Sequence, residues 1–128
     1  MKAEDKSVLL VEDEDNIALA LEFLVSRQGY NLTRVSTGEG AIASLEAERP
    51  DLVILDVMLP NGTGYEVCQF IRETPDLKDT RILMISAAGE MARRKGLALG
   101  ADAFFLKPFD TKLLTQEMAN LLGDSNAA

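Results

Sequence analysis

The sequence predicts an α/β domain built on a parallel sheet, and three observations carry that expectation. Short apolar runs alternate with stretches of helical periodicity, the pair recurs five times, and the third apolar run is continuous rather than alternating. Strict alternation of this kind favours parallel strands joined by right-handed crossovers, with helices on both faces of the sheet. A strand covered on both faces needs apolar residues at every position, which Leu52 to Leu55 supplies.

Taken in order, Val8 to Val11 is the first apolar run. Ile17, Ala20, Leu21 and Leu24 then recur at helical spacing up to Gly29, where a left-handed cap is expected. Leu32 to Val35 reads as the second strand. Ser36 and Thr37 are candidate helix caps, Ala41, Ile42 and Leu45 share one helical face, and Pro50 stops that segment. After the third strand, Val67, Phe70 and Ile71 mark a third helix. Arg81 to Ile85 and Ala103 to Leu106 read as the fourth and fifth strands. Helices follow them over Glu90 to Leu99 and Asp110 to Leu122, the latter with Leu114, Met118 and Leu121 on one side. One domain is expected over residues 1–123, with 124–128 either a frayed end or the stump of a linker.

A chain of 128 residues with 47% apolar and 27% charged content fits one ordinary globular domain. Its formal charge of −8 would repel the phosphates of nucleic acid, so direct DNA binding is disfavoured. The single cysteine, Cys68, rules out an internal disulfide, and the opening residues Met1 to Asp5 hold no apolar stretch for export or anchoring. A cytoplasmic location with no membrane association is therefore expected. Without histidine, Ser-His and Cys-His devices are excluded, which leaves carboxylates, hydroxyls and lysines to do any chemistry.

Strands of a parallel sheet all point one way, so the polar residues that follow them gather along one edge. The first strand ends in Glu12-Asp13-Glu14-Asp15, the third in Asp56, the fourth in Ser86 and the fifth in Lys107-Pro108. Each has an ordinary explanation. Acidic residues before a helix offset its dipole, Asp56 and Ser86 suit a turn or a cap, and Lys107-Pro108 suits a turn. None of these explanations accounts for the agreement of four strand ends. Clustered carboxylates repel one another and raise each other's pKa unless a cation sits among them. Oxygen donors suit magnesium, which keeps waters that a phosphate-bearing substrate can displace, whereas the absence of histidine and of a second cysteine argues against zinc. Asp56 is then the candidate nucleophile toward phosphorus. Magnesium and Lys107 would neutralise the phosphoryl oxygens, and Ser86 would donate a hydrogen bond to one of them.

These residues resemble the receiver domains of two-component response regulators, and the likeness runs from about Ser7 to Leu122. It rests on Val8-Leu-Leu-Val-Glu-Asp-Glu14, Asp51-Leu-Val-Ile-Leu-Asp-Val-Met-Leu-Pro60 and Gly100-Ala-Asp-Ala-Phe-Phe-Leu-Lys-Pro-Phe109. The resemblance implies a flavodoxin-like strand order of 2-1-3-4-5 and a signalling switch rather than an enzyme with small substrates. In such a switch Asp56 takes its phosphoryl group from a phosphohistidine on a histidine kinase or a histidine phosphotransfer protein. The likeness further implies that Asp13, Asp56 and the main-chain carbonyl of Met58 hold magnesium, with Glu12 acting through a water. By the same likeness Ser86 and Lys107 contact the phosphoryl group, Lys107-Pro108 is a cis peptide, and Phe104 is the aromatic switch residue. Output is then carried by the fourth helix, fifth strand and fifth helix to a downstream protein or a second copy of the domain.

Several positions depart from the usual pattern. Glu12 stands where Asp is frequent and reaches one methylene further. Ser86 replaces the more frequent Thr, losing a methyl that limits rotamers. Phe104 lacks the hydroxyl of the Tyr in some relatives, and Thr63 stands where many have Asp. Three competing readings are weaker. An interaction module that kept the fold but is not phosphorylated would not need the complete set of Asp13, Asp56 and Lys107. A metal-dependent phosphatase would need a second acid two places after its nucleophile, where this chain has Met58, and an insertion to form a substrate cap. A nucleotide-binding domain would need a Gly-rich loop after the first strand, where this chain is acidic.

Overall fold

The computed structural model describes residues 6–60 and 62–123. Numbering only the strands of the main sheet, β1 spans Ser7–Val11, β2 Asn31–Val35, β3 Leu52–Asp56, β4 Arg81–Ser86 and β5 Ala103–Leu106. The helices between and after them are α1 Asp15–Arg27, α2 Gly38–Ala47, α3 Gly64–Glu73, α4 Glu90–Ala98 and α5 Thr111–Leu121. All neighbouring strands of this sheet pair in parallel, in the order β2-β1-β3-β4-β5. The architecture is the one expected from the sequence pattern, and the order is the one the resemblance implies. The tail 124–128 lies outside the described residues.

The two faces of the sheet carry separate apolar layers. Val8, Leu10, Leu52, Ile54, Leu83 and Ile85 pack with Ala18, Leu21 and Val25 of α1 and with Leu114 and Met118 of α5. The alternate strand residues Leu9, Val11, Val53, Leu55, Ile82, Met84 and Phe104 pack with Ala41 and Leu45 of α2, Val67, Cys68 and Ile71 of α3 and Ala92 of α4. Every residue of β3 is buried, because consecutive side chains enter opposite layers and both layers are covered. Each fully buried Leu, Ile or Val of this kind contributes about 1.5–3 kcal/mol relative to exposure.

Local chemistry sets the element ends. Gly29, at φ +86°, turns the chain out of α1, a conformation costly for a side chain with a Cβ. The Thr37 hydroxyl accepts from the Gly40 N–H at 2.9 Å and starts α2. Thr63 is the N-cap of α3, and the Glu66 carboxylate returns to accept from the Thr63 N–H at 2.9 Å. Thr63 therefore has a structural role in opening α3.

Two details differ from the sequence reading. In α1 the buried positions are Ala18, Leu21 and Val25, while Ala20 is exposed and Ile17 and Leu24 are half-buried. An apolar helix offers overlapping stripes, and contact with β1 and α5 selects among them. A two-residue antiparallel ladder, Met58–Leu59 against Gly62–Thr63, also interrupts the β3–α3 connection. It is too short to leave a periodic signal.

Candidate functional site

The carboxyl ends of the strands bring the polar residues together. Asp56 is the last residue of β3 and is buried, with both oxygens engaged. Its Oδ1 accepts from the Met58 N–H at 3.0 Å, a turn closed by the side chain, and its Oδ2 lies 2.9 Å from the Lys107 Nζ. Lys107 follows β5, its N–H donates to the Ser86 carbonyl at 2.8 Å, and its peptide bond to Pro108 is cis. The same ammonium reaches the Glu12 Oε1 at 3.3 Å, so one lysine bridges carboxylates from two strands.

Glu12 is fully buried just beyond β1, while Asp13 beside it is exposed. One carboxylate oxygen from each of Glu12, Asp13 and Asp56 lies within 4.8 Å of the others. Burial first, and then the hydrogen bond with Asp56, push the Glu12 carboxyl up to about 7, against the pull of the Glu14 N–H and of Lys107. Burial acts to lower the Lys107 pKa, but the hydrogen bond and charge of Asp56, followed by those of Glu12, outweigh it and raise it. One ammonium is thus shared among carboxylates that still crowd one another. An all-oxygen donor set of this kind, with one exposed member open to solvent, fits a magnesium ion.

Ser86 ends β4 next to Asp56, in a ladder whose last β3 pair is Asp56 with Ile85. It is buried, and its hydroxyl accepts from the Ala88 N–H at 3.0 Å. Phe104 is not at this edge. It lies within the β4–β5 ladder opposite Met84, buried beneath α4, where a Cβ at Gly96 would stand 3.2 Å from its ring. Met58 is 62% exposed, opens the two-residue ladder, and is tied to the site through its N–H on the Asp56 carboxylate.

Two residues that shape the site are absent from the sequence reading. Gly64 begins α3, donates its N–H to the Val57 carbonyl at 2.7 Å, and would place a Cβ 2.3 Å from the Asp56 carbonyl oxygen. The helix therefore abuts the main chain of Asp56 and leaves no room for any other residue. Arg34, on β2, donates to the Glu12 carbonyl from Nε at 3.1 Å and Nη2 at 2.8 Å, and its Nη1 pairs with the Asp15 Oδ1 at 3.0 Å. The sequence shows an arginine within β2, but not the bond by which it reaches Glu12, 22 residues away.

Among the described residues no helix is long and apolar enough to cross a membrane. Residues 8–119 match the family of the response regulator receiver domain. The alkaline phosphatase synthesis transcriptional regulatory protein PhoP of Bacillus subtilis is 38% identical over 125 residues, covering 97% of this chain and 51% of that protein. The chain spans about half the length of the curated relatives it matches. The signal receiver domain of a signal transduction histidine kinase from Syntrophus aciditrophicus is 29% identical, with a TM-score of 0.86 over 96% of this chain and 94% of that one. The receiver domain of a Pseudomonas aeruginosa sensor histidine kinase, crystallised with a magnesium ion coordinated in its active site cleft, is 28% identical, with a TM-score of 0.84 over 92% of this chain and 98% of that one. With its parallel sheet in the order β2-β1-β3-β4-β5 and its acidic group at the strand ends, this chain belongs to the receiver-domain family of response regulators, the phosphoacceptor switches of two-component signalling.

Proposed function

We propose that Asp56 is the phosphoacceptor of this domain and that its donor is a phosphohistidine on a partner histidine kinase or phosphotransfer protein. The observation that carries the reading is the Lys107 ammonium 2.9 Å from a buried Asp56 oxygen, with Glu12 and Asp13 at the same strand edge. An Asp56 carboxylate oxygen attacks phosphorus, a P–O bond forms as the donor's P–N bond breaks, and the departing imidazole nitrogen takes a proton from solvent. Lys107, freed from sharing a carboxylate oxygen, binds a phosphoryl oxygen, and the Ser86 hydroxyl turns its proton toward another. Asp13, Asp56 and the Met58 carbonyl would hold magnesium, with Glu12 acting through a water. When bound, magnesium supplies charge neutralisation at the phosphoryl oxygens.

Features at the surface support the partner assignments. Beside Lys107 an apolar hollow of about 470 Å³ is lined by Ile17, Ala87, Pro108 and Phe109, and on α1 Leu19 and Phe23 are 67% and 62% exposed. A helical donor can lay its apolar face there while its imidazole faces Asp56. Output runs through α4, β5 and α5, where Met91, Arg93 and Arg94 on α4 and Leu106 on β5 are exposed, to a downstream protein or a second copy. Phe104, inward in this structure, is the switch residue of that face, and its outward turn gives up an apolar burial of about 1.5–3 kcal/mol.

The test is incubation with acetyl phosphate and magnesium followed by intact-mass analysis. One added phosphoryl group is expected for the parent and none for Asp56→Asn. Equal labelling of the two proteins would overturn the assignment.

A further inference from the structure

We propose that Arg34 is a positioning residue for the acidic pocket: by holding the main chain of Glu12 from β2, it sets where the Glu12 and Asp13 carboxylates stand and so tunes the affinity of the pocket for a divalent cation. The inference rests on the reading that this pocket takes magnesium during phosphorylation of Asp56.

The β1–β2 ladder ends at the pair Val11 and Val35, so Glu12 lies one residue past its register. Its main chain is nevertheless fixed on both sides by β2. The Glu12 N–H donates to the Val35 carbonyl at 3.1 Å, and the Glu12 carbonyl accepts from Arg34 Nε at 3.1 Å and Nη2 at 2.8 Å. With both main-chain groups held toward β2, the side chain is directed toward Lys107 and Asp56, where its Oε1 lies 3.3 Å from Nζ. The planar fork of a guanidinium makes this two-point grip possible, and an ammonium has no equivalent geometry.

The position of Arg34 is itself costly. Along β2, Asn31 and Thr33 are exposed while Leu32 and Arg34 face inward and are half-buried. A charged residue in an apolar slot needs partners for its head, and these are the Glu12 carbonyl and Asp15. The Asp15 side chain is 90% exposed, so that ion pair alone contributes little. The grip on Glu12 remains as the reason for the residue.

Charge and positioning predict opposite signs. A cation near the pocket repels magnesium, so if Arg34 acted only through its charge, removing it would tighten binding. If Arg34 acts by positioning, removing it loosens binding, as loss of a residue that orients metal ligands usually does.

The experiment is isothermal titration calorimetry of magnesium chloride into the parent, Arg34→Gln and Arg34→Lys at constant ionic strength, together with the magnesium dependence of acetyl phosphate labelling. A dissociation constant raised about tenfold in both variants is expected. The labelling curve should shift to higher magnesium by the same factor and reach nearly the parent rate at saturation. Parent-like or tighter binding in Arg34→Gln overturns the proposal. Should that variant not fold, parent-like binding in Arg34→Lys overturns it equally, because the lysine keeps the charge and loses the fork. A parent that binds no magnesium defeats the underlying reading of the pocket and this proposal with it, whereas a parent that binds normally beside unaffected variants defeats the proposal alone.

Discussion

In the proposed function a local turn and the reactive site coincide at Asp56. The carboxylate closes a turn through the Met58 N–H with one oxygen and faces Lys107 with the other, so the ordinary role of an Asp at a strand end and its chemical role coexist. Gly64 shows how little slack surrounds it. In Gly64→Ala the new Cβ would meet main-chain atoms of Asp56 and Val57, which cannot swing aside as a side chain can. The expected loss is about 1–3 kcal/mol, read from urea unfolding, and phosphorylation should slow with it. An unfolding midpoint equal to the parent would refute this close packing. On the same proposal, single residues would also set the lifetime of the phosphoryl group. The N–H groups of Met58 and Ala88 bond to the Asp56 and Ser86 side chains, which puts both residues at the mouth of the site with exposed side chains. A thioether is a weak acceptor and a methyl is none, so neither holds a water for attack on phosphorus. Phosphate loss is therefore expected to be slow and to accelerate in Met58→Asn combined with Ala88→Glu, as followed by intact mass over time. Equal rates would mean that these side chains have no part in hydrolysis.

Among the helices, α3 links the site to α4. It begins against the main chain of Asp56, and along its length the Tyr65 hydroxyl donates to the Ala92 carbonyl at 3.4 Å and Arg72 Nε to the Gly100 carbonyl at 2.9 Å. Lys95 on α4 lies over the Tyr65 ring at 4.5 Å, so its charge serves this contact as well as the surface. Cys68 is sealed in the same seam, and burial pushes its thiol up, away from the reactive thiolate. Its reaction with a disulfide reagent at neutral pH should be slow in the native protein and rapid in denaturant, reporting the opening of α3 from α4. Rapid native labelling would show that the seam is open. The sequence made the elements legible to within a residue or two, since each carries its own apolar period. It did not make legible the stripe that α1 buries, which neighbours choose, or the grip of Arg34 on Glu12, which joins residues 22 apart in sequence.

For the molecule as a whole, the site was readable from the expected fold, because parallel strands deliver their terminal residues to one edge. Glu12, Asp13, Asp56 and Lys107 were identifiable from position alone, and they meet as expected. Gly64 was not, because nothing in a sequence shows how closely a helix approaches a strand. Crowded carboxylates at that edge also connect the site to global stability. In the proposed function magnesium would bind the folded pocket, which the unfolded chain lacks, and would relieve the crowding of carboxylates around Glu12. Saturation at about a hundred times the dissociation constant should stabilise the domain by about 2.7 kcal/mol, seen as a rise in melting temperature that Asp13→Asn diminishes. A melting temperature independent of magnesium would count against the pocket. The central claim is that one carboxylate, at the end of the central strand, receives the phosphoryl group. Its most direct test is to reduce the acetyl phosphate-labelled protein with borohydride, which converts an aspartyl phosphate to homoserine, and to sequence the resulting peptides by mass spectrometry. The modification is expected at Asp56, with Glu12 and Asp13 unchanged. Recovery of the modified residue at Asp13, or anywhere other than Asp56, would contradict the account.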